Sequence, residues 1–497
     1  MSAASIMAPP VVLSSETLDA LPPAVTRPSY DRAALRPGIV HFGVGNFHRA
    51  HQAVYLDRLM NRGLAHDFAV HGVGTRAPDA AVRDDLAVQD HLYTLVEQSA
   101  ERSDARVIGA ITGMTGPDAP AEHVIARLVD PRTRIVSMTV TEGGYYLDGE
   151  GRFDAAHPDV AADATGTPQT VHGIVAEALA QRRRAGTAPF TIMSCDNLPH
   201  NGAVARAAVT GVARVRDPAL ADWIEGNVAF PNGMVDRITP ATGARELALV
   251  RDVHGVADRR PVFAEDFIQW VLEDSFPAGR PPLEEAGVEF VGDVTTHEAL
   301  KLRVLNAGHA LIAYPAGLLG IEFAHEAMAH PLVAGFLDRV ERTEILPHVP
   351  SVPGTDPLAY YRRCAERFAN PKIADTVRRL CLAGSNRQPK FVVPTIRDRL
   401  AAGAPVEGLA LASALWCRYC FGETESGETI APNDPAWPLL QDHAARARRE
   451  PDAWLELDAY DPVRASLPFR AAFAAALASV WDRGVVRTLE GYLQRTG

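Results

Sequence analysis

The character of the chain changes near residue 292, and this change constrains the fold more than any other feature. Before it, short apolar strand candidates at 39–42, 68–73, 134–140 and 190–195 are interleaved with helical stretches, one running through Leu59 and an Ala-rich one at 202–215. Strands alternating with helices point to a mainly parallel sheet covered on both faces. After about residue 295, Ala/Leu-rich segments recur at 297–318, 330–344, 357–368, 372–383, 394–402, 407–421, 468–482 and 485–495. Turns containing Pro or Gly separate many of them, the pattern of an all-helical domain. The sequence therefore predicts an arm over 1–37 with six prolines, an α/β domain over 38–292 and an all-α domain over 293–497.

Length agrees with this division. The 497 residues allow two to four domains at about 150 residues each. With 47% hydrophobic and 22% charged residues, such a chain can bury its own core without disulfides or metals. A net charge of −12 argues against a nucleic-acid partner and against an anionic membrane surface. The five cysteines, Cys195, Cys364, Cys381, Cys417 and Cys420, are too sparse for a disulfide framework and suit a reduced, cytoplasmic protein. Cys417 and Cys420 form a lone CxxC, which reads as two small apolar residues on a buried helix rather than a zinc site. The first arginine is Arg27 and Pro9-Pro10 interrupt the apolar start, so no signal peptide is expected. There is no run of 18 apolar residues to span a membrane. Arg182-Arg183-Arg184 reads as a solvated helix end.

Two segments carry chemistry. The first is Gly43-Val44-Gly45-Asn46-Phe47-His48-Arg49-Ala50, which follows a strand and opens a helix. Glycines there let the backbone turn tightly and approach a pyrophosphate, which a helix N-terminus stabilises. The spacing G-x-G-x4-A is looser than the usual fingerprint, and an ordinary tight turn fits it equally. The second strand ends Gly72-Val73-Gly74-Thr75-Arg76 with no carboxylate at its tip, and Asp79 comes later. Arg76 is placed to stack on adenine or receive a 2′-phosphate, which leaves NAD and NADP both open.

The second segment runs from Glu298 to His309. On a helical wheel of about 100° per residue with Lys301 at zero, Glu298 falls near 60°, His309 near 80° and Asn306 near 140°. Leu302 and Leu305 share that sector, so the face is not simply solvated. A partly buried Lys301 suits a general base. Asn306 can donate to a developing alkoxide, His309 can bind a hydroxyl, and Glu298 can relay protons. A packing helix whose polar groups are satisfied locally fits the same pattern. Two further polar stretches follow strand candidates. One is Ser194-Cys195-Asp196-Asn197-Leu198-Pro199-His200-Asn201-Gly202, which supplies an amide at Asn197 or merely a helix cap. The other is the 230–238 segment around Asp236 and Arg237, either a substrate loop or a surface turn.

Taken together, these residues resemble the polyol-specific long-chain dehydrogenases. Lys301-x4-Asn306-x2-His309 is similar to that family's K-x4-N-x2-H signature. The likeness runs from about residue 38 to 490 and includes Gln269 to Asp274 and Arg367-Phe368-Ala369-Asn370-Pro371. It implies a zinc-free NAD(P)-dependent oxidoreductase with a Rossmann-type N-terminal domain, an all-α C-terminal domain and a site in the cleft between them. By resemblance, Lys301 is the general acid/base, and Asn197 and Asn306 hold the reacting oxygen. His309, Asp236 and Arg379 contact the polyol, and Glu298 relays protons. Gly43, Val44, Gly45, Asn46, Phe47, Arg49, Ala50, Arg76, Thr139, Thr141 and Glu142 line the cofactor. Ala307-Gly308 before the histidine, Glu265-Asp266-Phe267 and the 384–391 segment depart from the common family pattern and bear on which polyol is used. The implied reaction interconverts a linear polyol and its ketose, D-mannitol and D-fructose with NAD first, by a monomer. Sorbitol, arabinitol, a fructuronate-type sugar acid and a non-catalytic dinucleotide-binding protein are the alternatives.

Overall fold

A computed structural model describes residues 9–148 and 151–494. The chain divides into two compact units, Met1–Thr295 and Thr296–Gly497.

The first unit is built on a five-stranded parallel sheet. Its strands are β1 (Pro37–Phe42), β2 (Ala69–Val73), β3 (Ile111–Thr115), β4 (Ile135–Met138) and β5 (Thr191–Ser194). They lie side by side in the order β3-β2-β1-β4-β5. This is the doubly wound Rossmann-type order, in which the strand order reverses beside β1 and leaves a crevice at the carboxyl ends. Alternation along each strand explains the covering. Ile39, Val70, Ile135 and Met193 face one apolar core, shared with the helix Gln52–Met60. Val40, Phe42, Val136, Met138 and Ile192 face the other, beneath the helices Ala121–Val129, Val171–Ala185 and Asn201–Arg216. The unit also holds a two-stranded sheet and two three-stranded sheets. One contains Val262–Glu265, Tyr93–Gln98 and Ser103–Ile108; the other contains Glu289–Val291, Gln269–Glu273 and Gly233–Asp236.

Several expectations change here. The first eight residues of the predicted arm lie outside the described residues. The remainder is part of the fold: Val11–Val12 pairs in parallel with Val256–Ala257, and Leu13, Leu21 and Val25 are buried beside Leu92, Val96 and Phe263. Scattered apolar residues between prolines were enough to anchor it. Arg182 is not a solvated helix end. It is buried, and its guanidinium donates to the carbonyls of Leu128, Asp130, Thr133 and Ala188, tying helix to loop. Nor is Asp236-Arg237 a surface turn, since both residues are buried.

The second unit is helical. Glu407–Cys420 is buried along nearly its whole length, as expected of a helix apolar all round. It packs with the long helix Leu467–Gln494, which bends at Gly484 (φ 78°). The predicted helix over 372–383 shrinks to Val377–Leu380, and the helices Ala324–Ala329 and Trp437–Ala447 were not anticipated. No described helix is long and apolar enough to cross a membrane.

Candidate active site

In the first unit, the turn after β1 is held from below. Gly43 sits at φ +89°, where an added Cβ would lie 2.2 Å from the Thr139 carbonyl oxygen, so only glycine fits. The Gly43 N–H donates to Val73, and its carbonyl accepts from the Gly45 N–H at 2.7 Å and the Thr139 hydroxyl at 2.7 Å. Gly45 differs: it is exposed, and a Cβ there would meet nothing nearer than 3.9 Å. The backbone is therefore bare where open space begins, at the start of the helix Asn46–Ala50. The first N–H groups of such a helix lack intrahelical partners. A dinucleotide's pyrophosphate fits this cradle.

The other expected cofactor residues divide. Val44 and Ala50 are buried, and Phe47 stacks on His51 at 5.0 Å. Arg49 is buried, donating to the Arg260 carbonyl and at 2.7 Å to Asn46 Oδ1. Arg76 is exposed. The carboxylate absent from the β2 tip in sequence is supplied by Asp79, which folds back to accept from the Thr75 N–H at 2.8 Å and the Arg76 N–H at 3.0 Å. Thr141 and Glu142 are exposed in the loop after β4. This loop is held by a residue the sequence reading passed over. Buried Asp196 accepts from the Val140 and Thr141 N–H groups, both at 3.0 Å, and from the Tyr145 hydroxyl at 2.7 Å. Thr141 takes φ +64°, a conformation those bonds stabilise.

Asn197 is exposed just beyond β5. Behind it, buried Asn201 donates to the carbonyls of Ser194, Asp196 and Gly233 and accepts from the Gly233 N–H. This amide links the Asn197 turn to the strand that carries Asp236. Asp236 is buried at that strand's end, opposite Gln269. Arg237, beside it, donates to the carbonyls of Ala50 and Glu265 and pairs with Glu97 at 2.6 Å.

The segment from Thr295, which opens the second unit's helices, to Leu318 is helical but not uniformly wound. Between the α-turns Thr295–Leu300 and Ala307–Leu318 lies a π-helical stretch, Lys301–Asn306, closed by a bond from the Ala307 N–H to the Leu302 carbonyl. The wheel drawn at about 100° per residue therefore does not hold across it, because a π-turn advances less per residue. Lys301, Asn306 and Glu298 are buried, and His309 is half-buried with Phe368 packed on its ring at 4.3 Å. Burial first, then the charges of Arg379, Arg367, Arg387 and Lys301, hold His309 well below the usual imidazole range. His309 is thus neutral and lies among four cations. Arg379 is gripped by Asp375, with Nε 2.5 Å from Oδ1 and a second bond from Nη2 to Oδ2. Burial opposes its charge, but those bonds outweigh burial and raise its pKa.

Arg367 and Arg387 are single charges in the sequence, and nothing there shows that both act on His309. Glu341 was also missed. It is fully buried against Gly308, neither carboxylate oxygen has a hydrogen-bond partner, and burial lifts its pKa well above the carboxylate range. A Glu four residues after Leu337 on an otherwise apolar helix face was the available signal. Among the described residues no group of three or more His, Cys, Asp or Glu is arranged to hold a metal ion.

Comparison with known proteins agrees with this architecture. Residues 37–285 match the mannitol dehydrogenase Rossmann domain, and residues 293–481 match the mannitol dehydrogenase C-terminal domain. The chain is 55% identical to a mannitol 2-dehydrogenase of Cereibacter sphaeroides, over 95% of this chain and 99% of that one. Its structure is similar to that of Pseudomonas fluorescens mannitol 2-dehydrogenase in ternary complex with NAD and D-mannitol, with TM-score 0.90 and 42% identity, covering 98% of this chain and 100% of that one. A substrate-free D-sorbitol dehydrogenase follows, with TM-score 0.87 and 38% identity, covering 96% of this chain and 100% of that one. With both halves matched and relatives aligned over nearly their full length, the chain belongs to the mannitol dehydrogenase family.

Proposed function

We propose that the chain is an NAD-dependent polyol dehydrogenase that interconverts D-mannitol and D-fructose. The observation that carries this reading is the buried Lys301–Asn306 π-turn followed by a neutral His309, in a chain whose relatives include mannitol 2-dehydrogenases. NAD, when bound, supplies the hydride acceptor for the substrate carbon. The bare backbone at Gly45 and the orphan N–H groups behind it suit the pyrophosphate. Asp79 at the β2 tip suits a ribose with free hydroxyls and repels a 2′-phosphate.

The chain's own residues do the rest. Lys301, buried at the start of the π-turn, takes the hydroxyl proton of the polyol. The amides of Asn197 and Asn306 stabilise alkoxide character on the reacting oxygen, in either direction of reaction. His309, being neutral, donates or accepts a hydrogen bond to a substrate hydroxyl without adding charge. Arg379, oriented by Asp375, and Asp236 hold the polyol chain, while buried Glu298 passes the proton from Lys301 toward water. Arg49 acts indirectly by fixing Asn46. This chemistry calls for no metal, and the expected result of chelation is an unchanged rate. Five buried cysteines outside any disulfide fit a cytoplasmic setting.

A second reading rests on the similarity to D-sorbitol dehydrogenase. A third rests on the cations around His309, which would also suit a substrate carboxylate. One assay separates them: a panel of D-mannitol, D-sorbitol, D-arabinitol, D-fructose and D-fructuronate with NAD(H) and NADP(H). Mannitol and fructose with NAD(H) give the highest kcat/KM. Higher values for sorbitol, or for fructuronate, overturn the assignment in favour of that substrate.

A further inference from the structure

The Gly43 carbonyl points down into the protein, and what it meets there is an ordered chain of polar groups. His41, fully buried on β1, places Nε2 3.2 Å from that carbonyl and 3.0 Å from the Thr139 hydroxyl. Its Nδ1 lies 2.8 Å from the Ser137 hydroxyl on β4, and Ser137 lies 3.0 Å from the side-chain amide of Gln52. His48 stacks flat on the His41 ring, with centroids 3.5 Å apart and planes 15° apart, which fixes the ring plane.

We propose that His41 is a positioning residue for the cofactor: through its Nε2 contacts it sets the Gly43 carbonyl inward and so presents the Val44 N–H to the dinucleotide. Burial pushes the His41 imidazole down to about 3, so the ring is neutral and donates from one nitrogen only. With the proton on Nε2, the Gly43 carbonyl collects bonds from Gly45, Thr139 and His41 together. Nδ1 faces the Ser137 hydroxyl at 2.8 Å, and the Ser137 oxygen lies 3.0 Å from Gln52 Oε1. In a trans peptide the C=O and the following N–H point in opposite directions. Holding the Gly43 carbonyl down therefore holds the Val44 N–H up, on the side where Gly45 is bare. Ser137 and Gln52 hold the ring from behind, as partners behind a metal-ligating histidine do.

This inference rests on the reading of residues 43–45 as the NAD site, so its test includes that reading. NADH affinity is measured by fluorescence on the full-length wild type, His41→Phe, His41→Gln and Gly45→Asp, with KM for NAD and kcat read alongside. His41→Phe keeps a ring but no nitrogen and weakens NADH about tenfold, the change falling on Kd and KM rather than kcat. His41→Gln restores a donor to the Gly43 carbonyl and recovers affinity to within about twofold of wild type. Gly45→Asp abolishes binding. Unchanged affinity in His41→Phe, or equal losses in the Phe and Gln variants, overturns the role of His41 while the loop reading stands. Unchanged affinity in Gly45→Asp overturns the loop reading and the inference with it. Should His41→Phe fail to fold, Ser137→Ala frees the ring without removing it. A several-fold loss there supports the proposal, and no loss overturns it.

Discussion

Single residues divide here into those at the open end of a turn and those that hold them. Gly43 and Gly45 lie two positions apart, yet Gly43 is glycine because its backbone takes φ +89° against Thr139, and Gly45 because space must stay open. The sequence alone showed both glycines and could not tell these reasons apart. Asp79 is the sharper case. It lies too far along the chain to look like the tip of β2, but a turn brings its carboxylate back to the Thr75 and Arg76 N–H groups. Removing it lifts the repulsion of a 2′-phosphate. Asp79→Ser raises kcat/KM for NADP by about tenfold or more relative to NAD, since one removed charge conflict is worth on the order of 1.4 kcal/mol. Steady-state kinetics with both cofactors check this, and an unchanged NADP/NAD ratio would remove Asp79 from cofactor selection.

At the scale of elements, four strands of the parallel sheet were legible because each alternates between two buried faces and stands next to a glycine or a helix, whereas the edge strand Ile111–Thr115, mostly half-buried, was not. Strands such as Tyr93–Gln98 and Gln269–Glu273 were not, because they belong to side sheets whose partners lie far away in sequence. Arg182 and Arg237 looked like surface charges and are buried, because backbone carbonyls from several loops converge on each guanidinium. The signature Lys301, Asn306 and His309 could be read in sequence, but the winding between them could not. Whether a turn is α or π depends on the packing around it, which helical periodicity in the sequence does not show. Deleting Leu302, which is only partly buried, removes the extra residue of the π-turn and restores an α-turn. The variant keeps its helical circular dichroism and loses at least about a hundredfold in kcat, because reacting groups tolerate little misplacement. Full activity in a folded deletion variant would show that the π-turn has no catalytic role.

At the scale of the whole molecule, the net charge of −12 set the class of partner to exclude but left the chemistry to local cations such as those around His309. Buried neutral histidines give the protein a second global property. His41 is pushed down to about 3, and His71 and His172 to about 4, each chiefly by burial. The folded state refuses protons that the unfolded chain takes up near pH 6.5. Their contribution to stability is therefore complete above pH 6.5 and is lost as pH falls toward the folded values, at about 1.4 kcal/mol per pH unit for each histidine. Thermal melts should fall steeply between pH 6.5 and 5. His172→Leu, which removes two buried ring nitrogens without partners, should flatten that slope; a variant that tracks the wild type across this range would contradict the assignment. The central claim is that Lys301 moves the substrate proton in an NAD-linked oxidation of D-mannitol. The measurement is nicotinamide absorbance on mixing NAD and D-mannitol with the wild type and with folded Lys301→Ala. The expected result is fructose and NADH from the wild type and a kcat lower by about a thousandfold in the variant, the loss of a general base. Near-wild-type turnover by Lys301→Ala would contradict it.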